Sequence, residues 1–266
     1  MNIEKYSLIN KTTFIVGGSG LIGSEISKAI ASAGSKTIIL DINEQPITSL
    51  VDENNNVHFN VFDSSDIENC ESQFHGVVLK YGSPDVYINC SYPRTKDWGA
   101  GSFKDISLDS YRKNIDIHLN SYAWLARTAA EEMVRVGKGG SIIQFGSIYG
   151  IVGQDLTVYK DTDIHEHMTY SIIKGGIANL SRQMSSYYGQ YNIRVNTLCP
   201  GGLEGHVAGK SDGQDPKFVE QYSMKVPLKR LGKAEEVASA TLFLASQASS
   251  YISGATIMVD GGWTAI

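Results

Sequence analysis

The sequence predicts an α/β fold: a doubly wound, mainly parallel sheet of seven strands flanked by helices, in one domain spanning residues 1–266. Three observations predict it. Short β-rich runs alternate with helical patterns along the chain. The runs are apolar throughout, as strands buried on both faces are. The first run ends in a glycine turn that opens a helix.

Thr13–Val16 is the first strand, followed by a helix from about Leu21 to Ala33. Thr37–Leu40 is the second and stops at Asp41. Val57–Val61 is the third and stops at Asp63, before a helix over about Ser65–Tyr81. Asp85–Asn89 is the fourth strand. Long helical patterns cover about Leu108–Val136 and Tyr170–Gln190. Ser141–Phe145 and Arg194–Leu198 are the fifth and sixth strands, Glu235–Ser246 a helix, and Ala255–Val259 the last strand.

Composition sets the class. Apolar residues make up 42% and the formal net charge is −5. A mildly acidic chain without basic runs excludes nucleic acid and anionic membrane as expected partners. No apolar stretch approaches the ~20 residues of a membrane span. Residues 1–11 show no apolar signal core. Three widely spaced cysteines, Cys70, Cys90 and Cys199, fit a reducing cytoplasm rather than a disulfide scaffold.

The turn reads Gly17-Gly18-Ser19-Gly20-Leu21-Ile22-Gly23. Glycines there let the backbone approach a pyrophosphate, and the helix start offers free N–H groups to its charge. Asp41 lies 24 residues after Gly17 at a strand end, where a carboxylate accepts from both hydroxyls of an adenosine ribose. It would repel a 2′-phosphate, and Ile42-Asn43-Glu44 supplies no cation to neutralise one. The pattern favours NAD over NADP. Asp63 is placed either at the adenine amino group or as a helix cap. Asn89 serves either the sheet or the cofactor.

Tyr170 and Lys174 are four residues apart at a helix start, which puts phenol and ammonium on one face. A phenol titrates near ~10, and a neighbouring cation lowers that value. The pair is an acid/base for hydroxyl–carbonyl interconversion. Tyr159 is a rival, but its own i+4 partner is Asp163, an anion.

With Ser147 after the fifth strand, these motifs resemble the short-chain dehydrogenase/reductase family over nearly the whole chain. The resemblance includes Arg194-Val195-Asn196 leading to Pro200-Gly201, then Arg230-Leu231-Gly232 and the ending Val259-Asp260-Gly261-Gly262. It implies a Rossmann fold, with Gly17, Ser19, Gly20, Leu21, Ile22, Asp41, Asp63, Asn89, Tyr170, Lys174, Pro200, Gly201 and Leu203 around the cofactor. It also implies that Ser147 orients the substrate oxygen, Tyr170 exchanges the proton, and Lys174 lowers the tyrosine pKa and holds the nicotinamide ribose. A homotetramer or homodimer built partly by the chain ending is expected.

The sequence departs from the family in five places. Val16 stands where a threonine usually precedes the first glycine. Two residues, not three, separate the first glycines of the turn, as in the sugar-nucleotide branch. Asn89-Cys90-Ser91-Tyr92 stands for the usual Asn-Asn-Ala-Gly. His118 stands where a catalytic asparagine is usual. Ser147 and Tyr170 are 23 apart rather than about a dozen.

Three loops are expected to border the substrate, near residues 91–101, 150–168 and 201–225. Arg94 and Lys96 would clamp an anion, Trp98 would stack on a sugar ring, and His206 lies in the third loop. Asp161, Asp163, His165 and His167 are ligand-type residues without fixed spacing, so no metal is expected. The segment Tyr92–Gly99 also resembles dehydrogenases of flagellin modification and bacterial surface sugars such as nonulosonic acids. The leading expectation is an NAD-dependent oxidoreductase of a polar, sugar or sugar-phosphate substrate, with a coupled aminotransferase as an expected partner. The alternatives are an NAD-retaining sugar-nucleotide epimerase or dehydratase and a non-catalytic NAD-binding regulator.

Overall fold

A computed structural model describes residues 3–205 and 213–266. The strands are β1 (Thr12–Val16), β2 (Lys36–Asp41), β3 (Val57–Val61), β4 (Val86–Asn89), β5 (Gly140–Phe145), β6 (Ile193–Pro200) and β7 (Thr256–Val259). They form one sheet in the order β3-β2-β1-β4-β5-β6-β7. All six pairings are parallel. The expected "mainly parallel" sheet is therefore wholly parallel, because every connection is a crossover.

The helices are α1 (Leu21–Ser32), α2 (Thr48–Glu53), α3 (Cys70–Tyr81), α4 (Leu108–Asn114), α5 (Ser121–Val136), α6 (Met168–Tyr188), α7 (Pro216–Lys225) and α8 (Ala234–Ala245). They cover both faces. Phe14 and Val16 of β1 pack with Phe74 and Val77 of α3 and Leu125 and Met133 of α5. Ile15, one residue between them, packs with Ile26 and Ile30 of α1 and Val237 and Leu244 of α8. This is why the central strands are buried on both faces and do not alternate between core and solvent.

Two helices differ from the expected ones. The helix after β3 begins at Cys70 rather than Ser65. Asp63 Oδ1 accepts from the Ser65 amide and hydroxyl at 2.9 and 2.6 Å, and this turn delays the helix. The run over 108–136 is interrupted by a π-helical turn at Ile115–Asn120, centred on buried His118. α2 and α7 have no counterpart in the expected elements.

Winding reverses between β1 and β4, where Val16 pairs with Asn89. Their carboxyl ends open a crevice at that edge of the sheet, the ligand position of doubly wound folds.

Candidate active site

The glycine turn bridges β1 and α1. Gly17 has φ +78, and a Cβ there would lie 2.5 Å from the Ser91 Cα, so no side chain fits. A Cβ on Gly23 would lie 2.0 Å from the Gly17 carbonyl oxygen, which fixes how closely α1 meets the turn. Gly20 is different. Its Cβ would meet only the Gly17 oxygen, at 3.4 Å. Nothing inside the chain requires glycine at that position, and a ligand approaching the backbone does. Gly20 caps α1 without a side-chain acceptor, so the first amides, those of Leu21 and Ile22, face outward with the helix dipole. Ser19 Oγ is buried with no partner. These features fit a pyrophosphate.

Asp41 stands at the rim of the same turn. Its carboxylate accepts from the Ser19 amide at 3.0 Å and from the Ile42 amide at 2.8 Å. Asp63 is committed to its own turn at Ser65. Asn89 Oδ1 accepts from the Ser91 amide and hydroxyl at 3.1 and 2.7 Å, while its buried Nδ2 has no partner. Asn89 thus shapes the β4 exit and keeps one donor in reserve.

The chemical groups converge at the neighbouring strand ends. Ser147 follows β5, and its Oγ accepts from the Tyr149 amide at 3.2 Å. With a lone pair so engaged, its O–H is directed toward Tyr170, whose phenolate the contact favours. Burial nevertheless wins and pushes Tyr170 up to about 12. Lys174 is buried, and burial pulls its ammonium down to about 7. Its Nζ donates to the Phe145 carbonyl at 3.0 Å. The rings of Tyr122, Tyr92 and Tyr170 surround that nitrogen at 5.2, 5.7 and 5.8 Å. Burial, the first cause at Tyr170, thus outweighs the opposing Ser147 hydrogen bond, and Lys174 is desolvated beside it.

His118 Nε2 lies 3.4 Å from Lys174 Nζ. Burial and the Lys174 charge hold the imidazole well below its usual range, against a pull from the Pro93 carbonyl. A neutral ring accepts from the ammonium through Nε2 and carries its proton on Nδ1. The His118 carbonyl is taken by the Ser121 hydroxyl at 3.0 Å.

Pro200–Leu203 leaves β6 across the same edge. The Gly201 amide donates to Val259, and the Gly202 amide to the Tyr222 hydroxyl at 2.7 Å. Leu203 pairs with Gly232. A Cβ on Gly205 would lie 2.8 Å from Leu21, so this loop closes against the glycine turn. His206 lies outside the described residues.

The 91–101 loop packs over Tyr170. Trp98 stacks on His167 with centroids 3.7 Å apart and meets the Tyr92 and Tyr170 rings edge-on. One indole face is thus already covered. The Arg94 guanidinium lies 5.4 Å from the Tyr92 ring centroid. Lys96 is exposed.

Three contacts here were not foretold by the sequence. His167 Nδ1 accepts from the Tyr170 amide at 3.3 Å and caps α6, while Nε2–H donates to the Trp98 carbonyl at 2.9 Å. Asn114 ties α4 to Thr95 through two hydrogen bonds, Oδ1 accepting from Thr95 N at 3.0 Å and Nδ2 donating to Thr95 Oγ1 at 2.8 Å, and Nδ2 also donates to the Ser110 carbonyl. Tyr149 and Tyr159 share a hydrogen bond at 3.3 Å. Only the histidine, one residue before a helix start, carried a signal in the sequence.

The insertion of 153–168 docks on α7. Lys225 pairs with Asp155, Lys217 with Asp161 at 2.9 Å, and Tyr159 stacks on Phe218. Val158, Tyr222, Val226 and Leu231 form a small core beneath. Among the described residues no group of three His, Cys, Asp or Glu gathers for a metal. No helix there is long and apolar enough to cross a membrane.

A family model described as enoyl-(acyl carrier protein) reductase matches residues 19–264. That match covers most of the chain and includes Gly20 and Gly23 of the turn, Ser147, Tyr170 and Lys174. The chain is a short-chain dehydrogenase/reductase. It is 30% identical to post-translational flagellin modification protein A of Campylobacter coli, over 96% of this chain and 99% of that one. It is 29% identical to L-rhamnose 1-dehydrogenase (NAD(P)(+)) of Azotobacter vinelandii, over 96% and 97%. A short-chain dehydrogenase of Leptospira borgpetersenii with bound NAD+ superposes at a TM-score of 0.84, 28% identical, over 99% and 96%. This dehydrogenase/reductase is thus an oxidoreductase of a family that binds nicotinamide cofactors and acts on small molecules.

Proposed function

We propose that this dehydrogenase/reductase interconverts a hydroxyl and a carbonyl on a polar, sugar-like substrate, with NAD as its cofactor. The observation that carries the reading is the placement of Ser147, Tyr170 and Lys174 together beside the glycine turn and Asp41. Ser147 orients the substrate oxygen. Tyr170 holds or takes the proton at its phenol oxygen. Lys174, fixed by the Phe145 carbonyl and His118, keeps a donor beneath the phenol. Bound dinucleotide supplies or accepts the hydride. Asp41 supports NAD, since a carboxylate at that rim repels a 2′-phosphate.

The polar reading of the substrate rests on the lining. Tyr92, Tyr149, Tyr159 and Gln154 present phenols and an amide near Tyr170, where a long acyl chain would need an apolar slot. The flagellin-modification and rhamnose relatives support a sugar, and the former a place in flagellin modification. Three unpaired cysteines fit the cytoplasm. The half-buried ending, residues 255–264, supports assembly as a dimer or tetramer through that edge.

The test mixes purified protein with NAD or NADP and a panel of sugars, sugar phosphates and nucleotide sugars, and follows the absorbance of reduced nicotinamide. Reduction of NAD by a panel member, abolished in Tyr170→Phe, is the expected result. Tight NAD binding without net reduction would favour the internally cycling epimerase. Cellular function unchanged in Tyr170→Phe would favour the non-catalytic regulator.

A further inference from the structure

The insertion between Ser147 and Tyr170 carries a hydrogen-bond chain with one direction. It starts at a backbone donor: the His167 amide donates to Gln154 Oε1 at 2.8 Å. An amide N–H can only donate, so the Gln154 carbonyl must face it, and the Gln154 NH2 must face the other way. That NH2 donates to the Tyr159 hydroxyl at 3.3 Å. The Tyr159 hydroxyl in turn donates to the Tyr149 hydroxyl at 3.3 Å. The chain ends there. The Tyr149 O–H proton has no acceptor among the described residues.

Tyr149 adjoins the reacting groups. It is two residues from Ser147, and its amide donates to Ser147 Oγ. Its phenol lies within electrostatic reach of Tyr170, and the neighbouring phenols and burial push it above its ordinary value. It therefore stays protonated, a donor at every working pH. Tyr159 is fixed from behind by its stack on Phe218, and the insertion is pinned by the Asp155–Lys225 and Asp161–Lys217 pairs. The donor is held by the scaffold before any substrate arrives.

We infer that Tyr149 is a specificity-determining donor that binds an oxygen on the carbon next to the reacting one. The preferred substrates are then vicinal diols and α-hydroxy ketones rather than isolated alcohols. The inference rests on the hydroxyl–carbonyl reading above and narrows it. A site built to donate to an oxygen discriminates strongly against a substrate lacking it, because the donor is left unpaired.

The probes are cis- and trans-1,2-cyclohexanediol, cyclohexanol, and the sugars of the absorbance panel. The variants are Tyr149→Phe and Tyr159→Phe, with thermal unfolding to verify folding. Wild type is expected to favour a diol over cyclohexanol by tenfold or more in kcat/KM. Tyr149→Phe is expected to lower the diol value about tenfold or more and leave cyclohexanol within about threefold. Tyr159→Phe, which removes the hydrogen bond that orients Tyr149, is expected to shift the ratio in the same direction by less. Equal losses on both probes, or an unchanged ratio in Tyr149→Phe, overturn the inference while the oxidoreductase reading stands. No turnover by wild type of any sugar, diol or alcohol overturns both.

Discussion

His118 meets Lys174 directly, Nε2 to Nζ at 3.4 Å, from inside a π-helical turn. The neutral state of the imidazole is enforced by burial and by the lysine itself. His118→Leu keeps much of the volume and removes the acceptor. We expect it to lower kcat about 10- to 100-fold with little change in the dinucleotide dissociation constant. His118→Asn should stay within about tenfold of wild type, roughly 1.4 kcal/mol of barrier. Steady-state kinetics with fluorescence titration of NADH checks both.

The Tyr170 and Lys174 shifts set the pH dependence. Oxidation of an alcohol needs Tyr170 deprotonated, and burial pushes it up to about 12. Reduction of a carbonyl needs the phenol protonated, its state at neutral pH. The oxidative kcat/KM is therefore expected to climb with pH through 7–10, while the reductive value holds over that range before falling. Initial rates in both directions across pH 6–10 check this. An oxidative plateau reached near pH 7 would contradict it.

Three glycines of one turn should respond differently to alanine. Gly23→Ala drives a Cβ to 2.0 Å from the Gly17 oxygen and should destabilise the fold severely. Gly17→Ala forces both a clash and φ +78 on alanine, with a similar result. Gly20→Ala should leave the melting temperature within a few degrees and abolish dinucleotide binding. Thermal unfolding and NADH fluorescence, run on all three, separate packing glycines from the ligand-facing one.

Asp41→Ser removes the carboxylate at the turn rim while a hydroxyl can still accept from the Ser19 amide. NAD affinity should fall about tenfold and NADP affinity should rise, so that the preference narrows. Dissociation constants for both dinucleotides decide it.

His167 caps the Tyr170 helix only as a neutral ring, since Nδ1 must accept from the Tyr170 amide. Burial lowers its pKa below 6.5. A histidine lowered in the folded state contributes a cost that is absent above 6.5 and grows as pH falls below it, because the unfolded chain takes the proton first. His118 acts in the same direction. Stability should therefore decline from about pH 6.5 downward, and less steeply in His167→Asn, which can still cap. Denaturant unfolding from pH 8 to 5 measures the slope.

Much of the fold was legible because its signals are local. Apolar runs at regular intervals determined a parallel sheet, since a strand buried on both faces tolerates no polar alternation. The glycine turn, Asp41 and the Tyr170/Lys174 spacing were legible for the same reason: each lies within one turn or one strand end. The π turn at His118 was not, because one extra residue per turn leaves the apolar periodicity of 108–136 nearly unchanged. Asp63 was ambiguous, and a local hydrogen bond to Ser65 decided its geometry.

The sequence by itself determined the fold class, the glycine cradle and the acid/base pair. Only the tertiary structure decided how those groups are tuned. His118 and Lys174 are 56 residues apart in the chain, and Trp98 and His167 are 69 apart. Their contacts depend on which helices cover which strand ends. Burial, which exists only after packing, raises Tyr170, lowers Lys174 and keeps both histidines neutral. The direction of the Gln154–Tyr159–Tyr149 chain was likewise set in space, by one backbone amide that can only donate.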